Sequence, residues 1–410
     1  MDRAAPLPIT LEDVETVAAR LQGEVLRTPT VYSPQLSALT GANVWVKFEN
    51  MQATGSFKER GAFTRMAALT PAERKAGVVA MSAGNHAQAV AYHAKKLGVA
   101  ATIVMPERTP FVKVAATEAH GATVVLSGAT LAEAGEACAA LAAEGRTLIH
   151  PYDDKLVMAG QGSVGLEMLA DAPELDTIVV PVGGGGLISG IATVAAARGV
   201  RVIGAEAALY PSAHAALAGT TAECGGTTLA EGIAVKNVGA LTLQVIAALV
   251  ERIILVDEVL LERAVNAYLT RQKTMAEGAG AAGLAALLAE PETFAGRNVG
   301  LVLCGGNIDP RLAASIMVRE LMRAGRIVAL EAHFTDGPGR LAALAGAIGA
   351  AGANILEVAH NRLSLTYPAR EASVRFTIET KDDAHIKRVM EKLRESGATC
   401  ALTSQVDGRF

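Results

Sequence analysis

The chain has 410 residues, enough for roughly two or three domains and a sizeable core. Its 37 basic and 41 acidic residues leave a formal charge of −4 with no long basic run, which speaks against nucleic acid or an anionic membrane surface as partner. The 51% hydrophobic fraction is largely alanine, and no stretch reaches the ~20 uninterrupted apolar residues of a membrane helix.

The N-terminal stretch "MDRAAPLPITLEDVETVAAR" carries acids early and has no apolar signal-peptide core, so targeting is not indicated. "GSFKERGA" (55–62) then frames one lysine, Lys58, with Gly55, Ser56, Phe57 and Gly61. A lysine is ordinarily a solvated surface residue. One that must reach a flat bound ring would need the room of these glycines and the contact of Phe57. "VVAMS" (78–82) predicts a strand ending in "AGNH", followed by an alanine-rich helix over 86–97. "ATIVMP" (101–106) and "ATVVLS" (122–127) are two more strands, each with a helical pattern after it. "TIVVPV" (177–182) runs into four glycines and a helix over 187–197, and "RVIGAEA" (201–207), "RIILVD" (252–257) and "VGLVLCGG" (299–306) continue the series. Such apolar runs suit parallel strands covered on both faces, and ligands collect beyond the carboxyl ends of such strands. Residues 82–86, 183–187 and 304–307 fall there.

Composition breaks near "RAGRIVALEAHF". A strand over 327–334 leads into Asp336-Gly337-Pro338-Gly339 and a helix with Leu341, Leu344, Ala345 and Ile348 on one stripe, ended by Gly352 and Asn354. "SVRFTIET" (373–380) alternates as a strand does. Asp382 can cap a second helix carrying Ile386, Val389, Met390 and Leu393, and "TCALTS" closes the set. The order βαββαβ is that of a ferredoxin-like unit, a separate small domain. Cys138, Cys224, Cys304 and Cys400 are scattered without CxxC or paired-histidine spacing, so the expectation is a reducing compartment, the cytoplasm, with neither a disulfide framework nor a metal site.

"VGGGGLISG" is the strongest loop signal. Four glycines between a strand and a helix let successive N–H groups point into one concavity, with the positive end of the helix behind them, as a phosphate requires. No Lys-Ser/Thr follows and the GxGxxG spacing fails, which disfavours a nucleotide P-loop and a dinucleotide site. A phosphate cradle with a distant special lysine suggests pyridoxal 5'-phosphate, whose aldehyde condenses with an amine.

"GSFKERGA", "SAGNHAQ", "VGGGGL", "LAEGIAVK" and "CGGN", in this order, resemble fold-type II pyridoxal-phosphate enzymes, most nearly the threonine dehydratase (threonine ammonia-lyase) branch that includes serine dehydratases. The likeness covers roughly residues 8 to 322, and the five motifs together are far more specific than any one. "TDGPGRLAALAGAIGAAGANI" is similar to an ACT domain, the amino-acid-sensing module.

The resemblance implies an α/β fold of two parallel-sheet subdomains, tryptophan synthase β-like, plus a C-terminal ferredoxin-like βαββαβ ACT domain. It implies a catalytic domain over 1–322, with a smaller subdomain of about 60–152 inserted in the larger one, and an ACT-like regulatory domain over 327–410. By it, Lys58 anchors the cofactor and later takes the substrate Cα proton, and Phe57 lies near the pyridine ring. Gly183, Gly184, Gly185, Gly186 and Leu187 hold the phosphate through backbone N–H groups, and Asn85 meets the phenolic oxygen. Ser82, Gly84, Asn85 and His86 form the loop that binds the substrate carboxylate, His86 as a backbone contributor at best. Gly232 and Glu277 match segments lining the cofactor. Cys304 stands opposite the pyridine nitrogen. There a neutral thiol, pKa ~8.5 when unperturbed, makes the ring a weaker electron sink than a carboxylate would, and this favours elimination of a β-hydroxyl. Ala83 stands where racemases of the family place a proton-donating serine, so dehydration with little racemisation is expected. "EAALYPS" keeps Glu206 but puts Ser212 at an acidic position of the racemases' divalent-cation site, so no metal is assigned, while a monovalent ion stays open.

The implied activity is conversion of L-threonine to 2-oxobutyrate and ammonia, with L-serine as a further substrate. A serine or 3-hydroxyaspartate dehydratase, or a non-catalytic amino-acid sensor, are the alternatives. Asp336, Gly337, Gly339 and Asn354 match the ACT loop and strand that bind an effector, isoleucine or valine, between paired domains. A homodimer or homotetramer is the expected assembly, and a purely oligomerising ACT-like domain that binds nothing is the other possibility.

Overall fold

The apolar runs become a parallel core. In a computed structural model that describes residues 6–362 and 368–403, the chain divides into two units, Met1–Ile308 and Asp309–Phe410. Strands of the first unit are β1 (Thr30–Tyr32), β2 (Asn43–Phe48), β3 (Val78–Met81), β4 (Ala101–Met105), β5 (Thr123–Leu126), β6 (Thr147–Leu148), β7 (Thr177–Pro181), β8 (Arg201–Ala207), β9 (Arg252–Val256) and β10 (Asn298–Leu303). They form a six-stranded sheet, β1-β2-β10-β7-β8-β9, and a four-stranded sheet, β5-β4-β3-β6. Every pairing is parallel except β1 with β2. The smaller sheet is built wholly from chain lying between β2 and β7. β7 and the interior of β10 are buried throughout, as strands covered on both faces must be.

β2 escapes an apolar-run reading because Lys47 interrupts it. That lysine is buried by specific partners: Nζ donates to Thr28 O at 2.6 Å and pairs with Glu167 at 2.5 Å. The two glycines flanking Lys58 also need a different explanation from room for a ring. A Cβ on Gly61 would come within 2.4 Å of Gln161 Nε2 and 2.8 Å of Val157 Cγ1, so this glycine lets helix Lys58–Ala67 lie close against helix Lys155–Asp171. Gly55 has φ +73, a left-handed turn, and its Cβ would strike Asn307.

The second unit begins with helix Pro310–Arg323, so the division falls earlier in the chain than the composition break. Then come β11 (Ile327–Thr335), helix Arg340–Ala350, β12 (Asn354–Asn361), β13 (Glu371–Glu379), helix Asp383–Glu395 and β14 (Thr399–Leu402). The antiparallel sheet, ordered β12-β13-β11-β14, completes the ferredoxin-like βαββαβ unit. Its core joins Leu330, Phe334, Leu344, Ile348, Phe376 and Val389. Asp382 caps its last helix through His385 N at 2.7 Å. The first five residues of the stretch read for targeting, and Ser404 of "TCALTS", lie outside the described residues. Among the described residues no helix is long and apolar enough to cross a membrane.

Candidate active site

Three backbone links bring the lysine loop to the end of β10. Phe57 N donates to Cys304 O at 3.0 Å, Gly306 N donates to Gly55 O at 3.0 Å, and Ser56 bridges Gly305. Lys58 is thereby placed beside Cys304, although 246 residues separate them in sequence. Its Nζ donates to Pro151 O at 2.9 Å and lies 5.0 Å from the Phe57 ring centroid. Burial pulls the Lys58 amine down to about 8, and the nearby Cys304 and Glu277 only partly oppose this. An amine titrating there supplies a substantial neutral fraction near pH 7 and can serve as nucleophile and base. Burial also pushes the Cys304 thiol well above its ordinary value, with Glu277 adding to the shift, so it stays protonated.

Beyond β7 the glycine loop opens helix Gly186–Ala196, and Gly183, Gly184, Gly185 and Gly186 are all buried. Gly185, at φ +93, is the N-cap and supplies no side chain to the first N–H groups. The loop carbonyls are engaged elsewhere: Gly184 O accepts from Thr242 Oγ1 at 2.7 Å and from Gly239 N at 3.2 Å, and Gly185 O accepts from Ser189 N at 3.0 Å. Tyr152 closes one side, so that a Cβ on Gly184 would fall 2.2 Å from its ring. A buried helix N-terminus without a side-chain cap needs an acceptor from outside, and a phosphate is a fitting one. The cradle and the Lys58 amine therefore fit pyridoxal 5'-phosphate.

Two more helix starts share the site. Gly84 is the N-cap of helix Asn85–Leu97 and gives it no side-chain cap; its own N–H donates to Ser82 Oγ at 3.2 Å. Glu277 occupies the same position before helix Gly278–Ala289. Its Oε1 accepts from Asn85 Nδ2 at 2.6 Å, and burial raises its carboxyl to about 7 against the lowering effect of that bond. A Cβ on Gly232 would meet Glu277 Oε1 at 3.6 Å, which puts the "LAEGI" segment at the same wall. The His86 side chain is turned away: Nε2 meets Ile149 O at 2.8 Å, and burial with the nearby Lys58 charge pulls its pKa down to about 3. It is a neutral anchor of the helix start. Leu187 and Phe57 are buried in the core beside the loops.

Sequence reasoning passed over three residues here and gave a fourth, Asn307, a place at the end of a strand but no role. Tyr152 covers the cradle, and Thr242 fixes its Gly184 carbonyl. Asp153 accepts from the N–H groups of Ala240, Leu241 and Thr242, capping a helix nearly ninety residues on. Asn307 links the lysine loop to Asn85. "YDD" before a helix is a cap signal in sequence, but only Asp154 caps the adjacent helix. Glu206 has both oxygens occupied by Ala213 N at 2.8 Å and His214 N at 3.0 Å.

In the second unit the four expected effector residues do not meet within one copy. Asp336 and Gly337 follow Thr335, and Gly339 (φ +78) opens helix Arg340–Ala350 without a side-chain cap. Asn354 pairs in register with Glu379, which also pairs with Ile327, so it lies at the opposite end of the sheet. Eight residues of strand rise place it about 27 Å away.

Residues 21–305 match the family described as "Pyridoxal-phosphate dependent enzyme". The chain is 42% identical over 394 residues to an L-threonine ammonia-lyase of Thermotoga maritima, covering 95% of this chain and 98% of that one. Among solved structures it is similar to a threonine deaminase from T.th., with TM-score 0.69 and 39% identity over 73% of this chain and 99% of that one. It is similar also to maize serine racemase, with TM-score 0.71 and 33% identity over 77% of this chain and 99% of that one. The chain belongs to the pyridoxal-phosphate dependent enzyme family, and pyridoxal 5'-phosphate is its cofactor.

Proposed function

We infer that the chain is an L-threonine ammonia-lyase, which eliminates water from L-threonine to give an enamine that takes up water and releases ammonia, leaving 2-oxobutyrate. The observation that carries this is the placement of the Lys58 amine, set beside the Cys304 thiol by the Phe57–Cys304 backbone bond and beside Tyr152 and the glycine cradle by its own bond to Pro151 O. When bound, pyridoxal 5'-phosphate supplies the electron sink for the charge left when the substrate Cα proton departs. Lys58 holds the cofactor and, once released from it, takes that proton. The N–H groups of Gly183 to Leu187 hold the phosphate, and those of residues 82–86 hold the substrate carboxylate at the open start of helix Asn85–Leu97. Asn85 presents its side chain to the cofactor's phenolic oxygen. Cys304 would meet the ring nitrogen as a neutral thiol and could not keep it charged as a carboxylate would, so loss of a β-hydroxyl would be favoured over reactions needing a long-lived carbanion. Ala83 offers no proton donor on the opposite face. The enamine product hydrolyses to the oxo acid and ammonia.

Catalysis belongs to the first unit and regulation to the second. The separation of Asp336, Gly337 and Gly339 from Asn354 supports an effector site completed by two copies, with isoleucine or valine as effector and a homodimer or homotetramer as the assembly. The four free cysteines support a reducing compartment, the cytoplasm. A spectrophotometric oxo-acid assay across L-threonine, L-serine and 3-hydroxyaspartate, with and without isoleucine, tests the assignment. L-threonine should give the highest kcat/KM, and Lys58→Ala should lose both turnover and the absorption band of bound cofactor. A yellow, active Lys58→Ala protein would overturn it.

A further inference from the structure

The amide of Asn85 has two orientations that differ only by exchange of Nδ2 and Oδ1. Which one is populated decides whether a donor or an acceptor faces the cofactor pocket. Asn307 settles that choice. One hydrogen of its Nδ2 goes to Thr54 O at 2.8 Å, a backbone carbonyl that can only accept. The other hydrogen goes to Asn85 at 2.8 Å, so Asn85 must present Oδ1 to it. Asn85 Nδ2 then points the other way, to Glu277 Oε1 at 2.6 Å. The chain of bonds runs from a carbonyl to a carboxyl, and one amide orientation satisfies every link. Turning Asn85 over would set donor against donor at Asn307 and lose that hydrogen bond, whichever protonation state the Glu277 carboxyl is in. Gly305 leaves the space for this row, because a Cβ there would lie 2.2 Å from Glu277 Oε1 and 3.1 Å from Asn85 Nδ2.

We propose that Asn307 is a positioning residue that locks the Asn85 amide with its donor toward the cofactor, acting through Asn85 rather than by touching cofactor or substrate. The same side chain ties Thr54, four residues before Lys58, to the start of helix Asn85–Leu97, so cofactor anchor and cofactor donor share one reference point. This inference rests on the reading of Asn85 as the residue that meets the cofactor.

The test is a double-mutant cycle on the full chain. Apoprotein is titrated with pyridoxal 5'-phosphate, and both Kd and the position of the bound-cofactor absorption band are read. Asn307→Ala should weaken cofactor binding by about tenfold, as loss of one oriented hydrogen bond does, and should shift the band. In an Asn85→Ala background the same substitution should change Kd by less than about twofold and leave the band where it is. An equal loss in both backgrounds would overturn the proposal, since Asn307 would then act through Thr54 alone. So would an unchanged Kd and band in Asn307→Ala. Asn307→Asp, nearly isosteric and unable to donate, replaces Asn307→Ala if that variant fails to fold. Wild-type protein that binds no cofactor, or makes no oxo acid from threonine, would instead sink the functional assignment, and the two failures are told apart by that control.

Discussion

Arg60, two residues after Lys58, is fully buried with both of its carboxylate partners at hand. Its Nε and Nη2 donate to Glu49 at 2.8 and 2.7 Å, and Nη1 and Nη2 donate to Glu167 at 2.8 Å each. Lys47, paired with Glu167, brings the cluster to two cations and two carboxylates. Burial pushes the Glu49 carboxyl up, but the charge and hydrogen bonds of Arg60, aided by Lys47, outweigh it and hold the group below the usual carboxylate range. Arg60→Met removes one cation and leaves the cluster with a net negative charge, so the expected loss is about 3–5 kcal/mol. Glu49→Gln leaves a net positive charge and should cost a similar amount. The double variant restores neutrality around Lys47 and Glu167, so it should cost no more than the worse single change. Trp45, on β2 beside the cluster, is the one tryptophan in the chain. Its fluorescence in urea therefore reports unfolding of the first unit without interference from the second. The sign with pH follows. In the wild type, Glu49 sits below its unfolded value, so its contribution is present at neutral pH and lost as acid protonates it. In Arg60→Met burial wins, Glu49 is raised, and lowering the pH relieves the defect, narrowing the gap to wild type between neutrality and mild acid. Additive costs, within about 0.5 kcal/mol, would refute the charge-balance reasoning, and so would a gap that widens in acid.

Association of pyridoxal 5'-phosphate with the apoprotein should accelerate with pH and reach half its maximum near the Lys58 value of about 8, because only the neutral amine attacks the aldehyde; stopped-flow absorbance checks this, and a rate independent of pH from 6 to 9 would count against it, these bounds being roughly those of a typical amine-controlled step. Enantiomer analysis after incubation with L-serine should find D-serine formed far more slowly than pyruvate, since Ala83 has no proton to give. Gly61→Ala should cost about 1–3 kcal/mol from overpacking against Gln161 and Val157, while the folded fraction keeps its full cofactor absorbance; normal stability with lost cofactor would restore the view that this glycine makes room for the ring.

Runs such as "TIVVPV" and "VGLVLCGG" could be read as parallel strands because burial on both faces leaves no polar position to disguise them. β2 could not, since Lys47 belongs in an apolar run only if Glu167 and Thr28 are known to meet it, and they lie in other elements. The same limit explains the misreading of Gly61. A glycine beside a lysine looks like space for a ligand, and only the position of Gln161, a hundred residues on, identifies it as a helix contact. Asp153 and Thr242 were hidden for the same reason. The effector residues fared differently, because sequence places Asp336 and Asn354 within one short segment while the helix and strand geometry sends them to opposite ends of the sheet.

What could be read of the site lay in local sequence, and the reason is physical. Several helices away from the site begin with side chains that accept their first N–H groups: Thr10, Ser33, Thr70, Thr130 and Asp257. The helices that open onto the site begin with Phe57, Gly84, Gly185 and Glu277, none of which caps its own helix. A helix start costs stability when left uncapped, roughly 1 kcal/mol at an ordinary exposed terminus, so a missing cap is tolerated where another acceptor takes its place. On the function proposed above, the cofactor phosphate is the acceptor at Gly185 and the substrate carboxylate the acceptor at Gly84. A missing cap alone does not suffice, since helix Phe111–Ala119 also starts uncapped, after Pro110. The added requirement is convergence, which Pro151 and Tyr152 provide by joining the Lys58 amine to the glycine cradle. Gly339 leaves helix Arg340–Ala350 uncapped in the same way, but in a single copy nothing converges on it with Asn354. By the criterion that picks out the catalytic site, the proposed effector site is half built in one copy, and the proposal requires a second copy of the chain to complete it.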